Sequence, residues 1–317
     1  MVVRGSRCRR VDVAALNALL GIAVGAASRT PPDPELPMMI RFVRRAAILA
    51  LLLHVSTVGP ALAQQAEFAA PQPLATAENV NFAILGTKPV KPAPTLFIFA
   101  LDAQRTLASE TYRQAGNILS QRGYLCVSLD LPCHGSQCRP GEAAELKGWR
   151  QRIDAGENIM DEFTERASKV LDYLIEERYA DPDRVAACGT SRGGFSACHF
   201  AIADPRVKCV AAYIPVADLA AITEFQGSSS VALLDSLSLI RNAEKLADRG
   251  VWISIGDRDQ RVNTDRAIEF ARALSAAGSK RGPRNIELHV SSIEGHATPR
   301  NAAEQSAAWI DAALKTK

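Results

Sequence analysis

Histidine is scarce in this chain: only five occur among 317 residues, so any chemistry that needs an imidazole can be traced by elimination. No Cys-x2-Cys or His-x3-His spacing occurs, which argues against a zinc site, and neither a metal nor another cofactor is expected. Charge of one sign is missing too. The whole chain carries a formal +3, but eight Lys/Arg and only three Asp/Glu fall within residues 1–63, which leaves −2 for 64–317. That balance gives no electrostatic reason to expect nucleic acid or an anionic membrane surface as partner. No internal repeat is visible. The apolar stretch Ala46–Val55, ten residues long, is too short to cross a bilayer comfortably.

That stretch is better explained by its flanks. Arg41, Arg44 and Arg45 precede it, and Ala61-Leu62-Ala63 follows it. A basic start, an apolar middle and an Ala-x-Ala end predict a secretory signal peptide over 38–63, in preference to an uncleaved anchor. The expected location is periplasmic or secreted, after cleavage near Ala63. Residues 1–37 read as a non-native or disordered extension from a start site placed too far upstream, 64–79 as a linker, and 80–317 as one catalytic domain. Six cysteines follow the signal. In an exported protein Cys133 and Cys138, which flank one short loop, are the candidate disulfide. Cys126, Cys188 and Cys209 sit in expected strands and read as small apolar residues.

Continuous apolar runs predict buried strands at 95–101, 124–130, 184–189, 207–213, 251–256 and 285–291. Helical spacing predicts helices over about 109–121, 158–177, 192–203, 264–277 and 301–315. Strands that are apolar throughout, alternating with helices, imply a mostly parallel sheet covered on both faces, with the site at the carboxyl ends of the strands.

Gly189-Thr-Ser191-Arg-Gly193-Gly194 lies at such an end, between an apolar strand and a helix. A serine at the tip of so tight a turn has strained backbone angles, and glycine two positions to either side removes the side chains that would collide. The hydroxyl needs a base, and the base needs an orienting acid. His54 lies in the signal, His199 inside a helix, His289 within a strand, and His134 ahead of the serine. His296, in the loop before the last helix, is the base candidate. After strand 251–256 two carboxylates compete. Asp259 has room to turn toward the base, whereas Asp257 sits close enough to the strand end to cap the loop or pair with an arginine. Asp259 is preferred.

The order Ser191, Asp259, His296 resembles that of α/β-hydrolases. Gly189-Thr-Ser-Arg-Gly-Gly194 is similar to the serine motif of prolyl-oligopeptidase-like catalytic domains and related esterases. Gly256-x-x-Asp259-x-x-Val262 is similar to the acid loop of the superfamily. The resemblance implies an α/β-hydrolase fold: a mostly parallel central sheet of about eight strands, helices on both faces, and a small cap in 215–241. It gives His134, in Leu129-Asp-Leu-Pro-Cys-His-Gly135, a loop-stabilising role. For the oxyanion hole it implies the amide of Arg192 and one from the turn after the third strand. The usual His-Gly is missing there, which leaves Leu101 or Asp102 as the second donor. Asp102 beside that hole would disfavour anionic substrates. The Arg192 side chain either reaches a substrate carboxylate or pairs with an acid on the helix face. The expected activity is a serine hydrolase on a small ester or short peptide, esterase in preference to peptidase. A prolyl-oligopeptidase-like peptidase, an acyltransferase and a non-catalytic binding module on the same scaffold are the alternatives.

Overall fold

The computed structural model describes residues 69–279 and 285–315. The extension and signal expected over 1–63 lie outside them. The sheet has eight strands: β1 Pro71–Ala75, β2 Asn81–Leu85, β3 Ala93–Phe99, β4 Leu125–Ser128, β5 Ala180–Thr190, β6 Val207–Tyr213, β7 Gly250–Arg258 and β8 Ile286–Glu294. Their order is β1-β2-β4-β3-β5-β6-β7-β8. β1 and β2 pair antiparallel, as do β2 and β4, and every later pair is parallel. Among the described residues nine α-helices accompany them: α1 Ala103–Ala108, α2 Glu110–Arg113, α3 Gly116–Leu119, α4 Glu145–Asp154, α5 Ile159–Glu176, α6 Arg192–Ala203, α7 Val231–Leu237, α8 Thr264–Ser279 and α9 Ala302–Ala313.

β3 shows why the strands are apolar throughout. Phe97 and Phe99 point to one face, where their rings meet Phe200 of α6 and Phe163 of α5 at 5.0 and 5.2 Å. Ile98 points to the other, so close to α3 that a Cβ on Gly116 would strike its Cδ1. Both faces are therefore core, and alternation has no polar side to display. On the α3 face, α9 reaches the sheet through Trp309 beside Gly250, and through Ser306 hydrogen-bonded to the Tyr213 hydroxyl at 2.6 Å.

Three expectations need correction. The stretch read as a linker contains β1, a half-exposed edge strand with Pro71 and Pro73 on alternate residues. An edge tolerates proline because its outward amides need no partner, and that proline content hides the strand from a pattern search. The single helix expected over 109–121 is broken into α2 and α3, because Gln114 adopts φ 48°, ψ −119° between them. The Cys133–Cys138 bridge is absent: all six cysteines among the described residues are free. Cys133 turns inward, its Sγ 2.8 Å from where a Cβ on Gly148 would lie, and burial pushes its thiol up to about 12. Cys138 faces solvent. The helix α4, too polar to be flagged by periodicity, was also unexpected; it buries Leu146, Trp149 and Ile153.

Candidate active site

β5 runs directly into α6, and Ser191 is the joint, with φ 57° and ψ −117°. Such angles cost a non-glycine residue of order 1–3 kcal/mol. Hydrogen bonds hold them in place: the Ser191 amide donates to Tyr213 O at 2.8 Å, and its carbonyl accepts from Val216 N at 3.2 Å. A Cβ on Gly189 would collide with the Gly193 backbone, and one on Gly193 with the Phe99 carbonyl. The two glycines let α6 start in contact with β5 and β3. The first amides of α6, beginning with Arg192, have no intrahelical acceptor and point toward this turn.

Asp259 follows β7 and is 2 % exposed. Its Oδ1 accepts from the amides of Arg261 at 3.0 Å and Val262 at 3.2 Å, while Oδ2 meets His296 Nδ1 at 2.8 Å. The carboxylate is thus fixed by main-chain donors before it touches the imidazole. His296 follows the positive-φ Gly295 after β8 and lines, with Ser191, one cavity of about 530 Å³. Asp257, near the end of β7, instead accepts from Ile293 N of the adjacent strand β8 at 3.0 Å and pairs with Arg258 at 3.5 Å.

The other described histidines are engaged elsewhere. His134 is buried, with Nδ1 2.8 Å from Pro132 O, and burial first, then the nearby Arg192 guanidinium, hold its pKa below the ordinary value. His199 is enclosed, its Nε2 2.9 Å from Leu237 O, and desolvation lowers its pKa to about 4. His289 pairs with Glu287 at 3.0 Å on the edge strand.

At the turn after β3, the Leu101 amide donates to Thr106 Oγ1 at 3.0 Å, which commits it within the loop. The Asp102 amide makes no hydrogen bond among the described residues. The Asp102 carboxylate caps α1 by accepting from Arg105 N at 2.8 Å and is not part of the cavity lining. Of the two roles considered for the Arg192 side chain, the structure shows the pairing: Nη1 meets Glu145 at 2.9 Å, and Arg192 is among the residues lining the cavity.

Three residues that sequence reasoning passed over complete the surroundings. Arg261, inside the quoted acid loop, lines the cavity and grips Glu224 of the cap through both terminal nitrogens, at 2.7 and 2.5 Å. Glu224 is held below the usual carboxylate range chiefly by that hydrogen bonding. Arg150 of α4 donates to three cap carbonyls, Glu224, Gln226 and Gly227, at 3.0, 2.9 and 2.9 Å. The cap itself is small, two short 3-10 turns at Leu219–Ala221 and Thr223–Phe225 followed by α7.

An eight-stranded, mostly parallel sheet with a strained serine at the strand–helix turn, and an Asp–His pair on the next loops, defines the class: an α/β-hydrolase. Residues 110–317 match the prolyl oligopeptidase family, and the chain belongs to it; it is a serine hydrolase. It is 26 % identical over 187 residues to the Escherichia coli (strain K12) esterase YjfP, across 55 % of this chain and 72 % of that one. In fold it is similar to TT1662 from Thermus thermophilus, with TM-score 0.59 and 18 % identity over 78 % of this chain and 98 % of the other. It is also similar to Porphyromonas gingivalis dipeptidyl peptidase 4, with TM-score 0.56 and 16 % identity over 76 % of this chain but 35 % of that one.

Proposed function

We propose that the chain is an exported serine hydrolase that cleaves a carboxylic ester through an acyl-enzyme on Ser191. The observation that carries this is the Asp259–His296 pair, closed at 2.8 Å, with His296 and Ser191 on the wall of one cavity. Ser191 Oγ bonds to the carbonyl carbon while His296 Nε2 takes its proton, and Asp259 fixes the Nδ1–H tautomer and stabilises the imidazolium. The oxyanion accepts from the Arg192 amide, where the α6 dipole also favours negative charge. Of the two amides expected from the β3 turn, that of Leu101 is committed to Thr106, and that of Asp102 is unbonded among the described residues but belongs to a residue outside the cavity lining. His296 returns the proton to the departing alkoxide as the C–O bond breaks. Water, deprotonated by the same imidazole, then releases the acid and restores the serine.

Ester is preferred to peptide because the relative named an esterase is matched over 72 % of its length, whereas the dipeptidyl peptidase is matched over 35 %. Export rests on the signal pattern in 38–63. A fluorophosphonate with peptide mapping, beside p-nitrophenyl esters and aminoacyl-naphthylamides, tests the reading. An adduct on Ser191 and turnover of the esters are expected. Folded protein with no adduct on Ser191 removes the enzyme reading, and turnover of the naphthylamides alone makes it a peptidase. The amino-terminal residue of protein recovered from the periplasm tests export, with cleavage after Ala63 expected.

A further inference from the structure

The lining of the Ser191 cavity is electrostatically one-sided. It contains Arg192, Arg261 and His296 together with the hydroxyl-bearing Thr111, Tyr112 and Thr190, and no Asp or Glu. Glu145 and Glu224, which pair with the two arginines, and Asp259, which pairs with the imidazole, all stand outside the lining. The single acid expected to repel anions, Asp102, is turned into the cap of α1. A ligand in the cavity therefore has basic residues in the wall around it and their counter-charges one residue further away.

The two arginines differ in what they have left to offer. Both terminal nitrogens of Arg261 face Glu224. Arg192 is anchored by Nε to Ala100 O at 3.3 Å and by Nη1 to Glu145 at 2.9 Å, and its Nη2 makes no hydrogen bond among the described residues. Its side chain is 16 % exposed, that of Glu145 48 %. Water screens the carboxylate more than the guanidinium, so the pair leaves a net positive potential on the cavity side. The local backbone is held in place to keep this arrangement. Glu145 has φ 58°, and its amide is tied to the carbonyl of Cys133, itself at φ 57°, at 2.9 Å. Two strained non-glycine residues bound to each other aim one carboxylate at the residue that follows the nucleophile.

From this arrangement we infer that Arg192 is a specificity residue, and that the substrate is an ester whose acyl part carries a second carboxylate a few bonds from the scissile carbonyl. Free Nη2 of Arg192 donates to that carboxylate, and Glu145 holds the guanidinium in place from behind. The inference rests on the hydrolase reading above and narrows it.

The test compares full-length protein on two esters of equal chain length, mono-p-nitrophenyl glutarate and p-nitrophenyl pentanoate. The readout is the ratio of their kcat/KM values, in which effects on the shared chemistry cancel. A charge-assisted hydrogen bond predicts a preference for the glutarate of roughly tenfold or more, reduced by added salt. Arg192→Gln lowers the ratio by about that factor, and Glu145→Gln raises it, since a competing anion has been removed. If the pair were only structural, both variants would move the ratio the same way or not at all, and either result overturns the inference. So does a wild-type enzyme that cleaves the pentanoate with no preference for the glutarate; the hydrolase reading survives that result. Turnover of neither ester, with Ser191 unlabelled by fluorophosphonate, removes both.

Discussion

Asp259→Asn is a demanding test of the site, because its structural and chemical consequences separate. The amide oxygen takes the place of Oδ1 and goes on accepting from Arg261 N and Val262 N, so the loop after β7 keeps its shape. The amide nitrogen replaces Oδ2, 2.8 Å from His296 Nδ1, and a donor there cannot accept the Nδ1–H. The imidazole answers by taking the other tautomer, with its proton on Nε2 facing the serine, where it cannot act as base. A wrong tautomer in an otherwise intact triad costs about 10⁴ in turnover, equivalent to about 5 kcal/mol of transition-state stabilisation. The melting temperature should move by no more than a few degrees, as for an isosteric change that keeps two of three hydrogen bonds. The assay is kcat/KM on p-nitrophenyl esters, with thermal unfolding and fluorophosphonate labelling rates on the same preparations. Asp257→Asn, whose carboxylate accepts from Ile293 N and pairs with the exposed Arg258 away from His296, serves as the comparison and should lose less than about tenfold. An Asp259→Asn protein within tenfold of wild type while Asp257→Asn is inactive would refute the assignment and make Asp257 the acid.

Further predictions concern the frame around the site. Gly193→Ala places a Cβ on the Phe99 carbonyl, so α6 and β3 must separate. Stability should fall by about 1–3 kcal/mol and ester hydrolysis with it, measured by urea unfolding and kcat/KM; unchanged values would show that the close approach is not needed. Arg150→Ala removes the donors to three cap carbonyls. KM for the ester should rise several-fold with the labelling of Ser191 by a small fluorophosphonate little altered, and equal losses in both would assign Arg150 to the chemistry instead. His199, desolvated to a pKa of about 4, is neutral in the fold and protonates more readily when unfolded. Its contribution is complete above the unfolded value near 6.5 and is lost as pH falls toward 4, about 1.4 kcal/mol per pH unit and roughly 3 kcal/mol in all. His199→Gln should flatten the stability profile in that window, and an unchanged acid slope in urea titrations would locate the effect in other groups.

Some of the fold was readable because single-residue rules sufficed. α6 and β6 occupy the expected 192–203 and 207–213, since a glycine-flanked turn and a wholly apolar run each leave one interpretation. β1 was hidden because edge strands need neither apolar alternation nor freedom from proline. α4 was hidden because Arg150 and Arg152, polar by any scale, are committed to the cap carbonyls and to Glu142. The expected disulfide failed because proximity in sequence says nothing about direction: Cys133 faces Gly148, Cys138 the solvent.

Legible in the sequence alone were the candidate residues Ser191, Asp259 and His296 and the order in which they occur. With so few histidines, and a serine locked between glycines at the end of a strand, the chemistry had few places to go. What only the tertiary structure decided is which partner each of these groups meets. Asp259 rather than Asp257 reaches His296, Leu101 gives its amide to Thr106, Asp102 turns away to cap a helix, and Glu145 arrives from the start of α4 to stand behind Arg192. Residue type fixes what a side chain can do, whereas direction and counter-charge depend on segments that pattern and spacing cannot bring together.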